Sequence, residues 1–540
     1  MSSKNYNSVY DIDVKDINTK NDLISLLAPY ISASNTIMIS KIAVDIGQKK
    51  EDPVLLLTAA ESVADYVFLP ELAVTLLEKA LLFFPKLGIS HQLDLLRAEV
   101  EIRLASQFMM LGQEKESLTL YMKVAQNHKE LKLNVGESLT GMLLQVGYPE
   151  LALKIARAWI SDGTVSGIIY NNMGGALRML NHSQESIQAY DRALEMLPRN
   201  RSIAFAYGLS LLKSGFYKQG LKYFVDHEPY VVDPSWWFVR DITRLKPDDD
   251  IRNKDILLFQ EQGLGDTLQF IRFVPQLLKR GAKITLAVPI ALKSLLAFSF
   301  PEVDILLCGD LGKSSPEQYK YDFACPITEL PYICNVESDK DIPINIPYLY
   351  ATEEGVKRFS DLIDAILPER SLDASGNRPL RVGIIWGGDR RLKATDVASD
   401  KRRSTTFNDM IKALSPVEAD IFNLQYDKKR MELVTTKDLL QPVYDLMDNV
   451  HNMADTAALM QNLDLIISVD TSPLHLSAAL GRPTWLVNRR DSCWRWGEDG
   501  EKSVWYPTLR IFRSQEKSFV PVLERVGKEL RALVSSRKRE

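Results

Sequence analysis

One aspartate in this chain stands where a carboxylate can do acid and base work, and another opens a candidate phosphate cradle. Asp266 closes the turn Glu261-Gln262-Gly263-Leu264-Gly265-Asp266, whose two glycines let backbone pass close to a ligand without an intervening side chain. Asp470 opens the segment Asp470-Thr471-Ser472-Pro473-Leu474-His475, where two hydroxyls and the free amides of a helix start make a cradle suited to phosphate. Proline at 473 fits the first helical turn, where its missing donor costs nothing. His475 lies one turn in and faces either the cradle or the sheet, as a catalytic or a structural histidine. For Asp266 the simpler role is to cap a helix and complement its dipole.

A third group is cationic. Trp386-Gly387-Gly388 ends an apolar run, and the loop behind it carries Arg390, Arg391, Lys393, Lys401, Arg402 and Arg403 before Ser404. Such a loop neutralises a departing diphosphate or is simply solvated, and one of Lys401, Arg402 and Arg403 is the candidate phosphate ligand. Aromatic side chains gather in Arg489-Arg490-Asp491-Ser492-Cys493-Trp494-Arg495-Trp496 and Ser503-Val504-Trp505-Tyr506-Pro507, behind what reads as the last strand. They either wall a sugar or base or pack the end of the fold. Gly263, Gly265, Gln269, Trp386 and Gln425 are expected to line the cleft.

These residues need elements to hold them. Apolar runs at 255–259, 284–288, 303–308 and 321–324, then at 382–386, 421–425, 463–469 and 484–487, alternate with helical segments, including ones beginning near Thr405, Asp455 and Ser472. That is the grammar of βα units around parallel sheets. The stretch 368–379 reads as the connection between two such domains, with a small-molecule cleft between them.

The N-terminal half has another grammar. Amphipathic helices with short breaks fill residues 23–238, and Gly174 to Gly208, Asn181 to Gly215 and Tyr190 to Phe224 each repeat at a spacing of 34, the tetratricopeptide period. Such helix pairs bury their faces by stacking into a solenoid, which binds a protein or associates with itself; a generic helical bundle is the other reading. The pattern breaks at Pro234-Ser235-Trp236-Trp237, and Lys246-Pro247-Asp248-Asp249-Asp250 reads as a linker. The expected architecture is therefore α + α/β, with a helical segment at 1–53, repeats at 54–245, and α/β domains at 254–370 and 380–535.

Composition adds limits. The 540 residues are 46% hydrophobic and 25% charged with a net charge of -4, which gives no electrostatic reason to expect nucleic acid. Cys308, Cys325, Cys334 and Cys493 show neither a disulfide framework nor zinc-ligand spacing, and no run of about 18 uncharged apolar residues occurs. A cytoplasmic protein is expected, with a basic tail at 535–540 that is a solvated helix end or touches an anionic membrane. The dinucleotide fingerprint fails because Leu268 stands at its third glycine, and the P-loop, GxSxG and HExxH motifs are absent.

Taken in order, residues 261–273, 386–404, 454–459, 470–481 and 494–513 resemble the heptosyltransferase-like glycosyltransferases that carry tetratricopeptide repeats. The resemblance implies a GT-B fold of two Rossmann-like domains, the C-terminal one binding the nucleotide-sugar. It implies Asp266 as general base, Arg403 on the donor phosphates with Lys401 beside it, and Asp470 and Thr471 at the phosphate-binding helix. Metal-independent, inverting transfer is expected, with no cofactor beyond the nucleotide-sugar. The acceptor is then a Ser or Thr hydroxyl of a protein such as a flagellin or adhesin, held by the repeats. Alternatives are a lipopolysaccharide core sugar as acceptor, or a non-catalytic scaffold. Ser472 stands where heptosyltransferases usually have glycine, and their Lys-x-Trp-Pro pattern is absent, so ADP-heptose is not assumed as donor.

Overall fold

A computed structural model describes residues 14–32, 35–226, 239, 241–308, 320–367, 378–388 and 400–537. Arg390, Arg391 and Lys393, the break at Pro234 to Trp237 and most of the expected connection at 368–379 lie outside those residues. The chain forms two compact units, one reaching from the N-terminus to Ala176 with residues 195–197, the other taking in almost all of the remainder.

The first unit is helical. Helices Pro53–Ser62, Pro70–Phe83 and Pro149–Ser161 each begin on a proline, whose fixed φ suits the first turn. Asp52 caps the first of these by accepting from the Val54 amide at 2.7 Å. Leu55, Leu56, Ala59, Ala73, Leu77 and Ala80 are buried, with small residues where these two helices meet. Farther along, helices Lys132–Val146, Gly167–Met179 and Arg201–Lys213 start every 34 or 35 residues. The left-handed residues Gly112, Gly147, Asn181 and Gly215 punctuate the chain at the same interval. Each sits just past a helix end, where a positive φ turns the backbone sharply into the next helix.

The second unit holds the last helical hairpin, Arg201–Lys213 and Tyr217–Phe224, and two sheets. A Cβ at Gly208 would lie 2.9 Å from the Tyr223 Cβ, so glycine is what lets these two helices cross closely. Leu212, Tyr217, Leu221 and Phe224 share one apolar core with Phe270 and Trp505.

Strands β1 (Asp255–Phe259), β2 (Lys283–Val288), β3 (Asp304–Leu307) and β4 (Phe323–Pro326) form a parallel sheet in the order β3-β2-β1-β4. Strands β5 (Leu380–Ile385), β6 (Ala419–Asn423), β7 (Val443–Asp445), β8 (Leu465–Val469), β9 (Thr484–Asn488) and β10 (Leu509–Arg513) form a second, in the order β10-β9-β8-β5-β6-β7, also parallel. Both have the Rossmann-like arrangement in which strand order reverses about the first strand.

The sequence does not reveal β7 and β10. The first has three residues, too few to show a period, and the second is interrupted by Arg510, whose charge meets Glu501 and Glu529, and by Arg513, which bonds to the carbonyls of Gly497, Asp499 and Gly500. The aromatic cluster at 489–507 therefore lies between β9 and β10 rather than behind the last strand. Among the described residues no helix is long and apolar enough to cross a membrane, and none of the four cysteines is in a disulfide.

Candidate active site

The turn after β1 leads into helix Leu264–Phe270, with Gly263 as its N-cap in extended conformation. The Gly263 amide donates to Asp266 Oδ2 at 3.1 Å, so the carboxylate does cap the helix. Its other oxygen, Oδ1, accepts from Nη2 of Arg495 in a close ion pair. Neither side chain is open to solvent, Asp266 being 21% and Arg495 11% exposed. The Arg495 guanidinium lies 4.8 Å from the Trp494 ring centroid and 5.4 Å from that of Phe270, and its Nη1 donates to Cys493 Sγ at 3.1 Å. Burial, the largest influence, works against its charge, but Asp266 and Cys493 outweigh it and hold Arg495 above its usual range.

Helix Ser472–Ala479 follows β8, with Thr471 as N-cap and Pro473 in the first turn. The Thr471 hydroxyl turns inward, to the Val469 carbonyl at 3.3 Å and the Ser468 hydroxyl at 3.2 Å, instead of facing the helix amides. The cradle is thus left to the backbone, to half-buried Ser472 and to Asp470.

His475 is buried. Its Nδ1 is 2.9 Å from the Tyr506 hydroxyl, Nε2 is 3.8 Å from Asp470 Oδ1, and the ring stacks on Trp496 at 5.4 Å. Its pKa is lowered to about 4, chiefly by burial, with Asp470 and Asp266 opposing the shift and Arg495 and Arg272 adding to it. The imidazole is therefore neutral at ordinary pH.

Gly265 explains how the two helix starts come together. A Cβ there would stand 3.0 Å from His475 Cδ2 and 3.5 Å from Ser472 Cα. Gly265, expected to line the cleft, is half-exposed and lets helix Leu264–Phe270 seat against helix Ser472–Ala479. This contact and the Asp266–Arg495 pair join the two sheet layers of the unit.

One turn on, Arg272 is 3% exposed. It donates from Nε to the Gln269 carbonyl at 2.8 Å and from Nη2 to the Tyr348 hydroxyl at 2.9 Å, while Nη1 reaches the Trp505 carbonyl. Tyr506 and Tyr348 rings cover the guanidinium at 4.4 and 4.7 Å. Much of the aromatic cluster is spent on holding this buried cation and the wall beside it.

At the carboxyl ends of β5 and β6 the structure makes further corrections. Trp386 is fully buried, its ring 4.9 Å from that of Phe407, and belongs to the core. Gln425, also buried, accepts from the amides of Trp386 at 3.1 Å and Gly387 at 2.9 Å and donates to the Gly387 carbonyl at 3.0 Å; it clamps the backbone instead of lining a cleft. Gln269 is completely buried and likewise lines nothing open. Gly263 alone of the five is exposed.

The cationic candidates separate. Arg403 donates from Nε to Asp400 at 2.9 Å, and its guanidinium lies on Gly388, where a Cβ would come within 2.4 Å of Nη2. Arg402 turns away to Asp491 at 3.0 Å, and Lys401 stays exposed. Lys429 joins Arg403 from the turn after β6, with Nζ 3.5 Å from Asp400 and 2.5 Å from where a Gly387 Cβ would be. The two glycines are thus flanked by two cations that share one carboxylate. Lys429 escaped the sequence reading; its signal was the run Lys428-Lys429-Arg430 directly behind a parallel strand. Arg495 was visible only as one of an aromatic cluster.

Strands β5 and β8 are neighbours at the point where strand order reverses, and the crevice beyond such a point is where open parallel sheets bind ligands. Gly387, Gly388 and their cations follow one strand, while Asp470 and helix Ser472–Ala479 follow the other. Positive groups and helix amides then face an anion, with a carboxylate at Asp266 nearby for proton transfer. Among the described residues there is no cluster of three or more His, Cys, Asp or Glu side chains arranged to hold a metal ion.

Residues 435–492, which include β8 and helix Ser472–Ala479, match glycosyltransferase family 9 (heptosyltransferase). Protein FlbA of Caulobacter vibrioides is 25% identical over 311 residues, covering 53% of this chain and 48% of that protein, so the match spans about half of the curated relative. Similar solved structures include a glycosyltransferase family 9 protein from Veillonella parvula, at 11% identity and TM-score 0.36 over 55% of this chain and 99% of that one. ADP-heptose lps heptosyltransferase II of E. coli gives 15% identity and TM-score 0.36 over 53% and 99%. O-GlcNAc transferase of Thermobaculum terrenum gives 12% and 0.28 over 82% and 92%. The second unit thus contains a segment similar to glycosyltransferase family 9.

Proposed function

We propose that this chain is a glycosyltransferase that moves a sugar from a nucleotide-sugar to a Ser or Thr hydroxyl of a protein acceptor, by a metal-independent, inverting displacement. The observation that carries the reading is the meeting of Asp266 with the start of helix Ser472–Ala479 at Gly265, which sets a carboxylate beside an anion-binding helix terminus. Asp266 takes the proton of the acceptor hydroxyl as its oxygen attacks the anomeric carbon. The bond from that carbon to the donor phosphate breaks, and the nucleotide leaves with the electron pair. Arg403 and Lys429 at the glycine pair and the amides of the Ser472 helix supply the charge that the leaving phosphate needs.

The acceptor reading rests on the helical hairpins recurring every 34 or 35 residues, which fit tetratricopeptide-like repeats suited to binding a polypeptide such as a flagellin or adhesin. A lipid-linked sugar needs no such surface. The cytoplasm, where nucleotide-sugars are available, is the compartment this reading requires.

Asp266→Asn is the test of the mechanism. Transfer should fall by about 10²- to 10⁴-fold, the usual contribution of a general base, with the fold intact and nucleotide still bound. Turnover like the parent's would sink Asp266 as base. Mass spectrometry of surface proteins from a strain lacking the gene should show one losing a sugar; unchanged protein masses with a truncated lipopolysaccharide would move the acceptor to the core sugar.

A further inference from the structure

We propose that Arg495 is a donor-operated switch on the base: it holds Asp266 until the leaving-group phosphate of the nucleotide donor draws the guanidinium away. This rests on the glycosyltransferase reading and adds a residue and a sequence of events to it.

Both oxygens of Asp266 already accept a hydrogen bond, Oδ2 from the Gly263 amide and Oδ1 from Arg495, so an acceptor hydroxyl must compete with a charged donor at Oδ1. The Gly263 bond is local and fixes orientation. The Arg495 bond comes from 229 residues away and is the one that can be exchanged.

Arg495 is correspondingly under-satisfied. A guanidinium carries five N–H donors, and here Nη2 meets the carboxylate, Nη1 meets a thiol sulfur, a weak acceptor, and Nε is buried with no hydrogen-bond partner. Phosphate oxygens satisfy a guanidinium's fork better than one carboxylate oxygen does, and they bring more charge. The Trp494 and Phe270 rings lie beside the guanidinium, at 4.8 and 5.4 Å from its carbon, and contribute no hydrogen-bond acceptor to its N–H groups.

The place is right as well. A Cβ on Gly265, one residue before Asp266, would meet both Ser472 and His475, so the pair sits at the start of the helix assigned to the phosphate. Neutral His475 adds no competing positive charge there. The loop bearing Arg495 is pinned on both sides: Asn181 Nδ2 donates to the Arg490 carbonyl at 3.0 Å, and the Ser183 amide donates to Glu498 Oε1 at 3.0 Å. With that backbone anchored, the exchange needs only rotation of the Arg495 side chain.

The switch orders the reaction. With the site empty, Arg495 neutralises Asp266 and the base is idle. Donor phosphate then takes the guanidinium, which frees Oδ1 to receive the acceptor proton and keeps the positive charge on the leaving group.

Competition between Asp266 and phosphate for one guanidinium gives a signature that a merely structural arginine lacks. ADP, UDP, GDP, dTDP and CMP are screened by thermal shift on the full chain, and the best binder is titrated calorimetrically. Asp266→Asn, which removes the competing charge, should bind that nucleotide about fivefold tighter than the parent, a typical coupling between two sites. Arg495→Gln should bind about tenfold weaker, and adding Asp266→Asn to it should give no gain, whereas Arg495→Lys, which keeps the charge and guards against a folding defect, should retain one. Unchanged or weaker binding by Asp266→Asn, or a gain that persists without the arginine, would overturn the switch. Failure of the parent chain to bind any of the five nucleotides would overturn the glycosyl-transfer reading itself.

Discussion

Replacing Gly388 by alanine should cripple donor binding while leaving the fold standing. The new Cβ would lie 2.4 Å from Arg403 Nη2 and 2.8 Å from Cζ and Nε, against a normal contact nearer about 3.5 Å. The guanidinium must retreat by about 1 Å, and its 2.9 Å bond to Asp400 goes with it. What yields is the far end of a flexible side chain, so the melting transition should move by less than the equivalent of about 1 kcal/mol. A phosphate that relied on that guanidinium loses a charge-assisted hydrogen bond of about 1.5–3 kcal/mol, or about 10- to 100-fold in Kd. Calorimetric titration with the nucleotide that best stabilises the parent chain reads this directly. Arg403→Met should lose the same amount, and the double variant no more than either alone. Nucleotide affinity that survives Arg403→Met would show that Arg403 does not touch the donor, whatever Gly388→Ala does.

Other consequences can be measured independently. His475 titrates near 6.5 when unfolded and at about 4 when folded, so the unfolded chain binds the extra proton between those values. The stability tied to neutral His475 should be complete above pH 6.5 and lost as pH falls toward 4; urea unfolding of the parent and His475→Gln across that window should show the parent losing ground, and parallel curves would refute the assignment. Lys213 is buried on the Arg178 carbonyl and the Asn181 side chain, and its pKa is lowered from 10.5 to about 7, chiefly by burial. Stability should rise with pH between about 7 and 10.5, and Lys213→Met should flatten that rise in thermal melts; an unchanged slope would count against a buried lysine. A Cβ on Gly527 would come 1.9 Å from the Ala413 carbonyl oxygen, where helix Val520–Arg537 lies on helix Phe407–Leu414. Backbone cannot give way as a side chain does, so Gly527→Ala should cost about 3 kcal/mol or more in urea unfolding, and a loss under about 1 kcal/mol would contradict the packing.

Most of the elements and their places are legible along the chain. Strand β1 runs over Asp255–Phe259, where the apolar run puts it, because a strand buried on both faces reads as unbroken hydrophobicity. Helix Ser472–Ala479 starts where a small polar residue and a proline announce it, and the 34-residue interval is legible because each hairpin repeats the same turn at Gly147, Asn181 and Gly215. Those signals are local, set by backbone geometry and burial within a few residues. What the side chains around the site do depends on packing between segments far apart in the chain. Trp386, Gln269 and Gln425 sit beside the site in sequence but turn into the core, since which way a side chain points at the end of a strand depends on what packs over it. Lys429 comes to share Asp400 with Arg403 because β6 lies beside β5. The pairing of Asp266 with Arg495 depends on one glycine that lets two distant helices touch, and no pattern along the chain encodes a contact 229 residues long.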